Sequence, residues 1–158
     1  MKEMSGVAET TVAATAPECI ALLVAVDRYP EWYPDVVTRA EVIDRDAAGH
    51  PTRAQATVHV SLGPLVRDFD LLLDVVARSQ GVRLVRVPHE SSDPERFEVD
   101  WEVSEGRDVT IRVLLAARLD VPRLLPVGGV GESLAQGFVA AAKRALERSS
   151  PNAPASSS

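Results

Sequence analysis

The chain has 158 residues, a net charge of −6 and 46% hydrophobic residues. This length suits one domain whose core is large enough to need neither a metal nor a disulfide. The hydrophobic content excludes a chain that is disordered throughout. The negative charge argues against sequence-independent binding to nucleic acid, which needs a basic face. The single cysteine, Cys19, excludes an intrachain disulfide and is compatible with a reducing cytoplasm.

Neither end of the chain carries a targeting signal or a packing pattern. The first 15 residues contain no apolar run long enough for a signal peptide, and no stretch reaches the roughly 18 apolar residues of a membrane span. The final segment, SSPNAPASSS, is too polar and proline-rich to pack. We therefore expect a cytoplasmic protein without stable membrane insertion. Residues 1–7 should be flexible, 8–148 should form the domain, and 149–158 should form a disordered tail.

A strand and a short helix are predicted at the start of the domain. Residues 8–15 (AETTVAAT) suit a strand. Thr15 and Glu18 then match a capping box, in which the threonine caps the helix and the glutamate bonds back to it. Apolar residues follow at helical spacing, at Ile20, Leu23 and Val24.

Two prolines predict where this helix ends. Tyr29 precedes Pro30 and is therefore biased away from the helical region, so the helix should end by 27–28. Pro30 and Pro34 leave room between them for a single further turn.

From residue 36 onwards the hydrophobic pattern changes to a period of two. It predicts six strands separated by short turn sequences, at 36–46, 52–62, 66–76, 82–88, 95–104 and 108–120. The short connections favour antiparallel neighbours in a meander. A proline- and glycine-rich loop follows, and apolar residues at spacings of three and four then predict a long helix from Val130 to about Arg148. The fold class is therefore α+β: a curved seven-stranded antiparallel sheet around a long C-terminal helix, with two short helices between strands 1 and 2.

Strand parity separates an apolar face from a polar one. In the four clearest strands (52–62, 66–76, 95–104 and 108–120) the apolar face carries no Asp, Glu, His, Lys, Arg, Ser or Tyr. General acid–base catalysis needs a titratable group within reach of the substrate, so this face favours a binding protein over an enzyme. Arg83 and Arg86 lie on opposite faces of strand 82–88, and the pattern leaves open which one points inward.

Two short motifs carry a family resemblance. The sequences APE at 16–18 and VDRYPEW at 26–32 resemble the start of START-like (helix-grip) domains, most closely the polyketide cyclase/dehydrase and coenzyme Q-binding branches. The sequence VPRLLP at 121–126, before the last helix, also matches. The resemblance covers roughly residues 8–148 in element order. It implies an apolar cavity between the concave sheet face and the last helix, in which members bind lipids, quinones or polyketides. A minority of members are aromatase/cyclases.

If the resemblance holds, the cavity should be lined by residues of the apolar strand face and of the helices. These residues are Trp32, Phe69, Leu71, Leu73, Val99, Trp101, Val113, Leu115, Leu134 and Phe138. We expect a hydrophobic small molecule as the partner, no cofactor and no catalytic residue. The alternative is a polyketide cyclase/dehydratase, which needs polar groups inside the cavity. A third interpretation is an interaction module in which the same residues form a solid core.

Other chemistry finds little support in the sequence. The three histidines (His50, His59 and His89) lack metal-ligand spacing, so no metal is expected. The glycine-rich stretch at 128–133 has no lysine after its glycines and so is not a phosphate-binding P-loop. Cys19 is expected to be a buried filler rather than a nucleophile, because no histidine or lysine is near it in sequence.

Overall fold

The computed structural model describes residues 2–62, 65–120 and 128–149. Its seven strands are β1 (Lys2–Val12), β2 (Val37–Arg45), β3 (Pro51–Leu62), β4 (Leu65–Arg78), β5 (Gly81–Arg86), β6 (Arg96–Glu105) and β7 (Val109–Leu119). Its helices are α1 (Ala16–Val24), α2 (Tyr29–Trp32) and α3 (Val130–Ser149), with a 3₁₀ turn at Val26–Arg28. The predicted α+β architecture is therefore confirmed.

All seven strands form one antiparallel sheet in the order β1-β7-β6-β5-β4-β3-β2. Strands β2 to β7 pair as a meander, as the short connections predict, and β1 pairs with β7 from Lys2↔Leu119 to Val12↔Val109. Residues 2–7, predicted as a flexible terminus, are instead strand residues. Their strand signal is weak because Ser5 and Gly6 interrupt it, and pairing along the whole of β7 supplies the order that local propensity does not.

The start of α1 follows its sequence signal, whereas the segment after the helix departs from the prediction. The backbone N–H of Glu18 donates to the Thr15 hydroxyl at 3.3 Å, and that of Thr15 donates to the Glu18 carboxylate at 3.1 Å, which completes the capping box. Tyr29, expected outside the helical region, is helical with φ −54° and ψ −39°. Its side chain is buried and its hydroxyl donates to the Leu23 carbonyl at 2.6 Å. These contacts outweigh the conformational bias before Pro30.

Helix α3 crosses the sheet against β1 at two glycines. A β-carbon at Gly6 would overlap with the Gly131 carbonyl, and one at Gly131 would overlap with the Ser5 backbone. The two main chains therefore touch directly. This contact gives the glycine-rich sequence before α3 a packing role, because it fixes where the helix begins relative to the sheet.

The two faces of the sheet divide as strand parity predicts. Apolar side chains of the inner face join α1 and α3 in one hydrophobic core. The outer face carries cross-strand ion pairs, such as Arg53 to Asp74 and Arg83 to Glu98, each at 3.0 Å. Exposed pairs of this kind contribute about 0.2–1 kcal/mol each. Three predicted features, the Gly63-Pro64 turn, the 121–126 motif and the tail from residue 150, lie outside the described residues.

No helix in the described ranges combines the length with the apolar character that a membrane-spanning helix needs.

Candidate functional site

The ten residues predicted to line a cavity all lie in the interior. Each is buried, with between 0% and 7% of its surface exposed, and all belong to one continuous hydrophobic cluster. Seven come from the inner faces of β4, β6 and β7, two from α3 and one from α2. The structure therefore brings the set together between the concave sheet face and α3. That these residues contact a ligand stays a prediction.

Five aromatic residues connect the two layers at the centre of this interior. This aromatic cluster consists of Tyr29, Trp32, Tyr33, Trp101 and Phe138. The Phe138 ring stands edge-on to Tyr33 at 4.8 Å and to Trp101 at 6.0 Å between ring centroids. Trp32 stacks with Tyr33 at 6.3 Å and tilts against Tyr29 at 4.7 Å. The chain contains only seven aromatic residues, two Trp, two Tyr and three Phe, so most of its aromatic surface lies at this one junction of α2, α3 and β6.

The polar atoms of the aromatic cluster differ in whether they have hydrogen-bond partners. The Tyr29 hydroxyl donates to the Leu23 carbonyl, and burial raises the pKa of Tyr29 far above its ordinary value, which the neighbouring Trp101 indole offsets only in part. The indole Nε1 atoms of Trp32 and Trp101 are buried, and neither makes a hydrogen bond of normal geometry to the described residues, although the Trp101 indole lies close enough to the Tyr29 hydroxyl to lower its pKa. A buried donor left unpaired costs about 1–3 kcal/mol, so this interior holds two donors suited to an acceptor atom.

Two concavities open beside this interior, one at each end of α3. At the N-terminal end, Leu134 and Ser133 face Tyr33 and His59 across a space of about 220 Å³. At the C-terminal end, Trp32 lies with residues of α1 and α3 around a space of about 410 Å³. The other eight predicted residues line neither concavity and belong to the hydrophobic cluster.

Two arginines share the parity of the inner face. Arg67 pairs in register with the buried Val60, and its guanidinium lies over the Phe69 ring at 4.5 Å, which corrects the prediction that the apolar face of this strand carries no arginine.

Arg86 is the second of these arginines. Arg86 pairs in register with the buried Leu73 and follows the parity of Val82 and Leu84, so it points inward and Arg83 points outward. Its guanidinium donates to Asp93 at 2.8 Å, and both side chains are only 12% exposed. The sequence alone could have predicted that Arg86 points inward if Val82 and Leu84 had been assigned to the inner face of β5.

Asp93 is held as an anion by several donors. The Arg86 guanidinium and the backbone N–H groups of His89 and Glu95 lower its pKa to about 2. A second Arg86 nitrogen donates to the Glu95 carbonyl at 3.0 Å. The pair therefore fixes the β5–β6 loop at the end of these two central strands. Both partners are already committed to each other, which makes them weak candidates for acid–base chemistry.

The remaining candidate groups lie away from the interior or are inert. His59 has outer-face parity, with Nδ1 at 2.6 Å from Asp68, and reaches the interior's surroundings only through the concavity of about 220 Å³. His50 and His89 are exposed. Cys19 is fully buried, and burial raises the pKa of its thiol to about 11. Within residues 2–62, 65–120 and 128–149, no group of three or more His, Cys, Asp or Glu residues could hold a metal ion.

Comparison with solved structures shows the same fold in several proteins. A START superfamily protein from Mycobacterium smegmatis is 16% identical, with a TM-score of 0.70 over 92% of this chain and 97% of that one. The Zhui aromatase/cyclase from a Streptomyces species is 14% identical, with a TM-score of 0.58 over 93% and 95%. A STAR-related lipid transfer protein from Xanthomonas axonopodis is 17% identical, with a TM-score of 0.54 over 89% and 84%.

Sequence comparison identifies the family. No curated protein is similar enough in sequence to match. Residues 12–147 match the family described as polyketide cyclase/dehydrase and lipid transport, which agrees with the helix-grip fold and with the motif resemblance at 26–32. Because this match spans most of the chain, the protein belongs to the polyketide cyclase/dehydrase and lipid transport family.

Proposed function

We propose that the protein binds a hydrophobic small molecule, such as a lipid, a quinone or a polyketide, between the concave sheet face and α3. The ten buried residues described above supply an apolar surface from both layers. Burying about 300–400 Å² of ligand surface there is worth roughly 8–12 kcal/mol before ordering costs, which leaves enough for micromolar binding. The family and the fold are compatible with this role.

The observation that carries the proposal is that the buried indole N–H groups of Trp32 and Trp101 make no hydrogen bond of normal geometry to the described residues. A purely hydrocarbon ligand would leave both donors unpaired, at the cost that any buried orphan donor carries. A hydrophobic molecule with carbonyl or ester oxygens would offer acceptors in the same interior. The proposed ligand is therefore apolar but carries at least one acceptor oxygen.

The interior favours binding or transport over catalysis. Two of its titratable groups are committed: the Tyr29 hydroxyl to the Leu23 carbonyl, and the Arg86 guanidinium to Asp93. A general acid or base must be free to exchange a proton with the substrate. We therefore place carriage of an intact ligand ahead of its chemical conversion.

The polyketide cyclase/dehydratase alternative has one observation in its favour. Tyr33 and His59 line the same concavity of about 220 Å³ at the N-terminal end of α3. Burial and the nearby Asp35 raise the pKa of Tyr33, with Arg144 opposing them, so the phenol stays protonated at neutral pH. It could donate a proton or a hydrogen bond to a carbonyl reaching that opening, but it could not act as a resting base.

Binding of three probes tests the proposed function. Menadione and methyl oleate are apolar molecules with acceptor oxygens, whereas 2-methylnaphthalene resembles menadione without its oxygens. We expect saturable binding of the first two in equilibrium dialysis. Trp101→Phe should weaken menadione binding about tenfold, because one hydrogen bond is lost, and should leave 2-methylnaphthalene unaffected.

Two neighbouring leucines provide the matched control. Leu115 is buried on the inner face at 2% exposure and Leu114 is 40% exposed on the outer face of the same strand. Leu115→Phe should reduce binding of all three probes, and Leu114→Phe should not. The proposal is wrong if none of the probes binds saturably, or if both leucine variants bind like the wild type.

A further inference from the structure

A groove with an apolar floor lies on the side of α1 that faces away from the core. Its volume is about 750 Å³, within the range of small-molecule sites. Helix α1 forms one wall, and the other wall comes from the β2–β3 connection and the end of β4. The apolar residues of the groove are Pro17, Ile20, Ala21, Val24, Ala25, Pro51 and Ala77. We call this the basic-rimmed groove, for the arginines described below.

The basic-rimmed groove borders the concavity at the C-terminal end of α3, with which it shares Ala21, Ala25 and Arg28, but it is distinct from the interior proposed above. Ile20 and Val24 recur at helical spacing on the groove face of α1. Cys19 and Leu23, which precede them in sequence, point further into the core and are fully buried, and Val24 is 9% exposed at the boundary between groove and core. None of the ten interior residues lines the groove. Helix α1 therefore stands between the two sites.

Three arginines and one aspartate line the rim, which makes it locally basic in an acidic protein. Arg28 is committed, because its guanidinium makes two hydrogen bonds to Glu31 at 3.0 and 3.3 Å. Arg45 and Arg78 are held loosely. Arg45 lies 3.9 Å from Asp27, the one acidic residue among the groove-lining residues, and donates to the Gly49 carbonyl.

The second loosely held arginine has its partner outside the groove. Arg78 reaches Asp100 at 3.4 Å, and Asp100 is not part of the lining. The side chains of Arg45 and Arg78 are 49% and 48% exposed, so their remaining N–H donors are available to a ligand. Guanidinium groups bind carboxylates and phosphates through paired hydrogen bonds. His50, which is 3.7 Å from Asp46, completes this rim.

We propose that the basic-rimmed groove binds a single-chain anionic amphiphile. The chain lies along the floor formed by Ile20, Val24 and Ala77, and the anionic head group, a carboxylate or a phosphate, lies between Arg45 and Arg78. This inference concerns a second site and does not depend on the proposed function of the interior. It goes beyond that function by adding a binding site for a charged molecule.

The size of the groove favours a small molecule over a protein partner. Thirteen residues line it, whereas a stable protein interface uses about 20–30 residues on each side. The apolar floor combined with a charged rim at one margin matches an amphiphile, which has the same division.

Four probes with the same chain length test the proposal below their critical micelle concentrations. Dodecanoate and dodecyl phosphate carry anionic head groups, dodecanol is neutral, and dodecyltrimethylammonium is cationic. In titration calorimetry we expect saturable binding of at least one anion, about tenfold tighter than dodecanol, and no binding of the cation. A preference between the two anions identifies the head group. Binding of dodecanol or the cation as tight as that of both anions overturns the proposal.

Adjacent residues of β4 provide a matched pair of variants. Ala77 lines the groove, and Val76 is 48% exposed outside the groove lining. Ala77→Glu should weaken binding of the anion by more than about tenfold through like-charge repulsion, while Val76→Glu should leave it unchanged. The double variant R45Q/R78Q should also lose the anion, with Arg53→Gln, at an arginine outside the groove, as its control.

A spectroscopic readout separates this site from the interior. Neither Trp32 nor Trp101 lines the groove, although Trp32 lines the adjoining concavity. The anion should therefore shift the amide signals of Gly49 and Ala77 clearly, with little change in tryptophan fluorescence. Leu115→Phe, which targets the interior, should leave groove binding intact. The proposal is wrong if the anion perturbs tryptophan fluorescence but not these amides, or if Ala77→Glu and Val76→Glu bind it equally well.

Discussion

The hydroxyl of Tyr33 lies directly over Gly137 of α3, in the space that a β-carbon at that position would occupy. The same Tyr33 ring contacts Phe138, the next residue of the helix, at 4.8 Å. Glycine is a poor helix former, and here its missing side chain admits the phenol. The contact joins the segment after α2 to α3 and thereby sets the position of the aromatic cluster in the interior.

Replacing this glycine should expose a conflict between helix propensity and packing. Gly137→Ala gains about 1 kcal/mol of helix propensity, but its methyl group overlaps with the Tyr33 hydroxyl. We expect net destabilisation of about 1–3 kcal/mol, as for other overpacked sites. Chemical unfolding of the single variant measures the sum of the two effects.

A second substitution isolates the steric effect. Tyr33→Phe removes the hydroxyl that lies over Gly137 and leaves the ring. In that background Gly137→Ala should cost clearly less, or should stabilise the helix. A double-mutant cycle with no coupling between the two positions would show that the hydroxyl is not what the glycine accommodates.

The crossing of β1 and α3 gives a second prediction about glycines. A β-carbon at Gly131 would overlap with the Ser5 main chain, which cannot rotate away. Gly131→Ala should therefore cost about 3 kcal/mol or more. A β-carbon at Gly128 would meet no atom of the described residues within 4 Å, and the φ of Gly128 is not positive, so Gly128→Ala should be neutral or slightly stabilising. Equal effects in thermal unfolding would contradict the close approach of the two elements.

Much of the fold could be predicted because its signals are local. The alternation of strands β2 to β7 follows directly from side chains that face either core or solvent. The capping box of Thr15 and Glu18 involves residues three apart. The structure contains both patterns, and each can be read from residues that are close together in sequence.

The predictions that were wrong concern residues whose conformation is set by contacts with residues distant in sequence. β1 extends to Lys2 because β7 pairs with it, and Tyr29 is helical because its hydroxyl reaches the Leu23 carbonyl. The inward direction of Arg86 becomes evident only when the inner face of β5 is known. The basic-rimmed groove could not be predicted at all, because it depends on how α1 lies against residues of two separate hairpins.

The pair of Arg86 and Asp93 predicts acid sensitivity of the β5–β6 loop. The pKa of Asp93 falls from 3.8 to about 2 on folding. A carboxyl whose pKa is lower in the folded state contributes stability above its unfolded pKa, and this contribution is lost as the pH falls through the folded pKa. Stability should therefore decline between pH 4 and pH 2 more steeply in the wild type than in Asp93→Asn. Unfolding midpoints measured across that range give the comparison, and parallel curves for the two proteins would refute the assignment.

Cys19 should report global unfolding through its reactivity. Its side chain is fully buried in α1, and burial together with the nearby Glu18 raises the thiol pKa to about 11. The thiolate is the reactive species, so both access and ionisation protect the folded protein. We expect negligible reaction with an aromatic disulfide reagent at pH 8, and rapid reaction in urea above the unfolding midpoint. As a control, Cys19→Ala should abolish the signal in urea. Fast labelling of the native wild type, at a rate independent of urea, would show that α1 opens locally instead of unfolding with the core.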